Sequence, residues 1–133
     1  MENRLLNITF SIVVVVFIAI TISYAATETE QGDTVTLSSI AADWTWSGNC
    51  RMYGGGRGTR LNYILWSPGS ADDVLVIKEQ SPSGPQMFYG WAVDRTDQHI
   101  IYYHGSRKRP VIDYSECTLS TGSLVIFELW PQR

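Results

Sequence analysis

The sequence is poor in the residues that build reaction centres. It holds two histidines, His99 and His104, and two cysteines, Cys50 and Cys117. Structural zinc sites draw on four cysteine or histidine ligands, mostly in closely spaced pairs. The two histidines are five apart in a strand-like run, which sends them to opposite faces. The sequence therefore predicts no metal site and no cofactor. It has no Gly-x-Ser-x-Gly elbow, and no spacing that pairs a serine or cysteine with a histidine. The glycine cluster from Gly54 to Gly58 lacks the Gly-Lys-Ser/Thr ending and the following helix of a phosphate loop; Thr59-Arg60-Leu61 begins a strand instead. Asp72-Asp73, Asp94 with Asp97, and Asp113 with Glu116 fall mostly in turns, where aspartate commonly binds nearby backbone. The reading is of a protein that is not an enzyme.

Clustered positive charge is missing as well. The formal net charge is −3, which disfavours binding to a phosphate backbone and so to nucleic acid. The densest cationic run is Arg107-Lys108-Arg109. It is short, and its functional reading is a docking point for an acidic partner, an anionic lipid headgroup or a cell-surface polysaccharide.

The one long apolar run opens the chain. A weakly charged lead to Asn7 precedes Ile8 to Tyr24, and Ser23-Tyr24-Ala25 sets small residues at the positions a signal peptidase reads. An abruptly polar, acidic stretch follows. That order predicts a helical signal peptide over 1–25 and a secreted or periplasmic mature protein. The alternative is an uncleaved anchor facing outward, since the run approaches the length that crosses a hydrocarbon core of roughly 30 Å; only then does the protein touch a membrane. Residues 26–33 read as a short acidic linker and 34–133 as one domain. In an oxidising compartment Cys50 and Cys117 are expected to form a disulfide. The bridge would close a loop of about 67 residues and contribute roughly 4 kcal/mol in the chain-entropy view.

What remains is side-chain alternation with a period of two. Trp44, Trp46, Gly48, Cys50 and Met52 share one face of a long strand over 43–53, and Val35 and Leu37 share one face of an earlier strand. Leu61, Tyr63 and Leu65 line the next. Val74 to Ile77 is apolar on both faces. Met87, Tyr89, Trp91 and Val93 alternate with Gln86, Phe88, Gly90 and Ala92. Strands over 100–103 and 111–118 follow, and Val125, Phe127 and Leu129 share a face of the last one. Gly- and Pro-containing turns separate these runs, and Gly105 to Pro110 reads as a basic loop.

Seven or eight short strands at near-regular spacing predict an all-β antiparallel meander. Closure into an up-and-down barrel would remove exposed edges and is favoured over the alternative, a β-sandwich. With its early Trp-bearing strand and successive hairpins, the outline resembles the small lipocalin-like barrels. The resemblance is one of topology. The family's opening Gly-x-Trp is not matched, because Ala42-Asp43 precedes Trp44 and Trp44-Thr45 precedes Trp46.

Trp44, Trp46, Tyr63, Tyr89 and Trp91 are the candidate ligand-binding residues, since such rings combine broad apolar contact with a polar handle. The function expected from sequence is an exported, non-enzymatic binding domain that holds a small apolar or sugar-like ligand in an aromatic-lined barrel. The alternative is a protein–protein interaction domain or inhibitor. A cavity lined by the rings would favour the first, and rings gathered on the outside the second.

Overall fold

Alternation decides which side chains are buried, and the strands follow it closely. The computed structural model describes residues 25–45 and 59–131. Its strands are β1 (Thr27–Gln31), β2 (Thr34–Ser38), β3 (Trp44–Thr45), β4 (Thr59–Ser67), β5 (Val74–Glu79), β6 (Gln86–Trp91), β7 (His99–Lys108), β8 (Pro110–Ile112) and β9 (Leu124–Leu129), with one 3-10 turn at Tyr114–Glu116. All the pairings are antiparallel. They form a five-stranded sheet, in the order β1-β2-β9-β4-β7, and a four-stranded sheet, β3-β8-β5-β6.

The two sheets share one core. Val35 and Leu37 from β2, Leu61, Ile64 and Trp66 from β4, and Val125 and Phe127 from β9 meet Leu75 and Ile77 from β5, Phe88 from β6 and Ile112 from β8. Burying each such side chain stabilises the fold by about 1.5–3 kcal/mol relative to exposure. Trp44 stacks on Phe127 across the core, with ring centroids 5.4 Å apart. Trp66 is wholly buried and donates its indole Nε1–H to Ser123 Oγ at 2.9 Å. Gly90 faces that indole closely enough that a Cβ there would overlap the ring.

Several expectations need correction. The described strands do not close into a barrel, and the chain is not a meander. Among the described strands only β1–β2 and β5–β6 are consecutive neighbours within one sheet; each other successive pair lies in opposite sheets. Period two fixes the buried face of a strand but not its neighbour, so the topology was not encoded in the pattern. The turn at Asp94–Asp97 accordingly links the two sheets. Thr27–Gln31, expected as a linker, pairs with β2 along its whole length. The basic loop is largely strand, since β7 runs on to Lys108.

In β4 the expected face breaks. The register shifts between Leu61 and Tyr63, and this bulge moves the strand by one residue. The core therefore receives Leu61, Ile64 and Trp66, while Tyr63 and Leu65 turn outward. The double-sided burial expected for Val74 to Ile77 holds for Leu75, Val76 and Ile77. Cys117 follows the 3-10 turn and carries a free thiol. Its expected partner Cys50, all of the expected signal peptide over 1–25 except Ala25, and Trp46 with the rest of its strand lie outside the described residues.

Candidate functional site: the outer face of the five-stranded sheet

Of the aromatic residues singled out from sequence, the four that are described go to three different places. Trp44 is in the core, only 5% exposed, and its indole donates to Glu28 Oε2 at 3.3 Å. Tyr89 and Trp91 point away from the core on the outer face of β6 and are 53% and 49% exposed. Tyr63 lies on the outer face of the other sheet. Among the described residues these four rings do not converge on one cavity. A small cleft of about 230 Å³, between the β2–β3 connection and the 119–123 turn, is lined by Ile40, Leu119 and small polar residues, and none of these rings reaches it.

The outer face of the five-stranded sheet collects what the core does not. Cross-strand registers place Gln31, Thr34, Glu128, Tyr63 and Tyr102 in one row across all five strands. The adjacent row is Thr29, Thr36, Ile126, Leu65 and Ile100. At ~4.8 Å between strands, each row spans about 19 Å. The β1–β2 half is threonine and glutamine, and the β9–β4–β7 half is apolar and aromatic. Leu124, beside Ser67, extends the apolar half.

Rings and hydrogen bonds fix the aromatic end. Tyr63 and Tyr102 meet edge to face at 5.8 Å, and His104 stacks on Tyr102 at 5.8 Å. Asn62 Nδ2 donates to Glu128 Oε1 at 3.1 Å. The Tyr63 hydroxyl bonds the same carboxylate, and that bond, with burial and the negative charge of Glu128, raises the phenol's pKa above its ordinary value. Glu128 is thus committed to orienting Asn62 and Tyr63.

The cationic run is spread out rather than clustered. Arg107 is exposed beside Arg60. Lys108 bridges the sheets to Glu79 Oε2 at 3.2 Å. The backbone carbonyl of Arg109 accepts from Gln80 N–H at 2.8 Å. The histidines diverge as expected: the ring of His99 packs on Trp66 at 5.2 Å, inside the sheet, while His104 lies outside. No cluster of three metal-ligating side chains occurs among the described residues.

Comparison of the chain with protein-family models, curated proteins and solved structures finds no match.

Sequence reasoning missed Leu65, Ile100, Tyr102, Ile126 and Glu128 as parts of one surface. Alternation alone placed Leu65 and Tyr63 with the core residue Leu61, because the bulge that separates them leaves no composition signal. The second signal, outward apolar residues on three strands, requires knowing that β9, β4 and β7 are neighbours.

Proposed function

We propose that this protein is an extracytoplasmic, non-enzymatic contact module that presents the outer face of its five-stranded sheet to a protein partner. The observation that carries this reading is the apolar ladder Ile126–Leu65–Ile100 beside the Tyr63–Tyr102 pair, standing outward while the core is filled by other residues. Apolar and aromatic side chains at the centre of a patch, with a polar margin, are the composition of protein contact surfaces. Gln31, Thr34, Thr29 and Thr36 supply that margin. Placement outside the cytoplasm rests on the apolar lead and its small-residue exit.

The test is site-specific photo-crosslinking in the protein's own extracellular or envelope setting. A photoreactive residue at Leu65 or Ile126 should trap a discrete protein species other than a second copy of this chain, and one at the remote, exposed Ser83 should not. Equal trapping from all three positions, or from none, would refute the assignment.

A second reading has one observation in its favour. Along the Glu128–Tyr63–Tyr102 row, hydrogen-bonding groups alternate with ring faces and edges, which suits a sugar-like ligand. Under that reading Tyr102→Ala abolishes glycan binding, whereas Ile126→Ser, one row away, leaves it unchanged.

A further inference from the structure

The edges of a sheet expose unpaired backbone groups, and exported proteins blunt them with charge, covering side chains or bulges. At one edge of the five-stranded sheet, β1 carries Glu28 and Glu30. The edge strand β6 of the other sheet has its Met87 carbonyl taken by the Tyr103 hydroxyl. At the far edge of the five-stranded sheet, β7 differs. Among the described residues no strand pairs with its outer side. From Ile100 to Tyr103 it has no charge and no proline, and it is open on both faces: Ile100 and Tyr102 outside, Ile101 toward the rim of the core. Positive φ at His104 (49°) and Gly105 (79°), with the register shift opposite, ends the regular stretch after Tyr103.

We propose that the β7 edge pairs with the β7 edge of a second copy of this chain, antiparallel about a two-fold axis near Ile101, joining two five-stranded sheets into one. Such an interface is self-complementary. A two-fold at Ile101 sets Ile100 of each copy opposite Tyr102 of the other, and His99 opposite Tyr103. Cross-strand pairs of aromatic and β-branched residues stabilise antiparallel ladders.

Charge argues for a second copy over an unrelated strand. Acid precedes this edge, at Asp94 and Asp97, and base follows it, at Arg107 and Lys108. Antiparallel self-pairing brings the acidic turn of each copy beside the basic end of the other. Arg95 offsets part of the turn's charge, Asp97 also meets His99 of its own copy at 3.5 Å, and Glu79 offsets part of Lys108's charge, so the match is between the two ends as wholes rather than between single side chains. The pairing uses backbone, so it does not depend on what the outer face binds.

The experiment is analytical ultracentrifugation of the chain as purified from the expressing cell, combined with amide hydrogen exchange at low and high protein concentration. The wild type should form a noncovalent dimer, weakened several-fold by raising salt from about 0.05 to 0.5 M. Amides over 99–103 should exchange more slowly at high concentration while those of β1 do not change. Ile101→Lys puts like charges face to face at the axis and should weaken the dimer about ten-fold or more. Ile101→Val should leave it intact. The exchange comparison needs only the wild type, so it stands even if the lysine variant fails to fold. A monomer at all concentrations up to about 1 mM, or a dimer whose β7 amides exchange at a rate independent of concentration, would overturn the proposal.

Discussion

Removing the Asp73 carboxylate should be among the most damaging single changes outside the apolar core. Asp73 is 1% exposed, yet it carries charge. Its Oδ2 accepts from Gly69 N–H at 2.9 Å and Ser70 N–H at 3.2 Å, and its Oδ1 accepts from Ser120 Oγ at 2.6 Å, with Ser120 N–H shared between the two oxygens at 3.1 Å. One side chain thereby ties the β4–β5 connection to the turn before β9. Burial by itself would raise its pKa, but the hydrogen bonds from Ser120, Gly69 and Ser70 outweigh burial and hold it below the ordinary carboxylate value. Asp73→Ala strands three backbone donors and a hydroxyl. Each abandoned donor costs about 1–3 kcal/mol, and water reaching the loop keeps the sum near the low end, at about 3–4 kcal/mol. For a domain of this size that lowers Tm by roughly 12–25 °C. Asp73→Asn keeps one acceptor and should cost about 2 kcal/mol. The sign with pH follows from the depressed pKa: the stabilisation is present above the unfolded-state value and is lost as pH falls through the lower folded one. Urea unfolding of wild type and Asp73→Asn should therefore show a gap at pH 7 that narrows below about pH 4. A gap under about 0.5 kcal/mol at pH 7, or one that persists undiminished in strong acid, would refute the reasoning.

Three further outcomes follow from the same packing. Gly90→Ala should destabilise by about 1–3 kcal/mol, because the added methyl meets the Trp66 indole, itself fixed by Ser123; thermal unfolding reads this. Burial, and then the charge of Glu79, push the Tyr103 phenol up to about 12. In an ultraviolet alkaline titration Tyr103 should ionise only near that pH, and Tyr103→Phe should remove that step. Its folded pKa is raised, so its stabilisation is full below pH 10 and lost as pH rises toward 12. The Cys117 thiol, pushed up by burial and by Asp113, Glu116 and Asp43 against the opposing pull of Val76 N–H, should alkylate far more slowly at pH 8 in the folded protein than in urea.

The fold class was legible because alternation is a local property. Val35 with Leu37 and Val125 with Phe127 announced their buried faces, and Leu75 to Ile77 announced a strand covered on both sides. Topology was not legible. Nothing in Ser67–Asp73 or Asp94–Asp97 distinguishes a turn that folds a hairpin from one that crosses to another sheet, and that choice separates two sheets from a barrel. The site was legible only as an excess of aromatics. Tyr63 stood out as a candidate ligand-binding ring, but its face was assigned by a phase that the bulge after Leu61 had already changed. Trp66, central to the core, and Tyr102, central to the outer face, drew no attention, because their roles depend on neighbours distant in sequence. Asp73 was read as turn chemistry, and that is its role, although its reach to Ser120 could not be foreseen.

The central claim is that this protein fills its interior with one set of aromatics and displays another. Hydroxyl-radical footprinting of the folded protein tests it most directly. Tyr89, Trp91 and Tyr102 should oxidise rapidly, with Trp44, Trp66, Phe88 and Phe127 protected until the protein unfolds. Ready oxidation of Trp44 and Trp66 alongside protection of Tyr89 and Trp91 would mean that the sheets face the other way, and the account would fail.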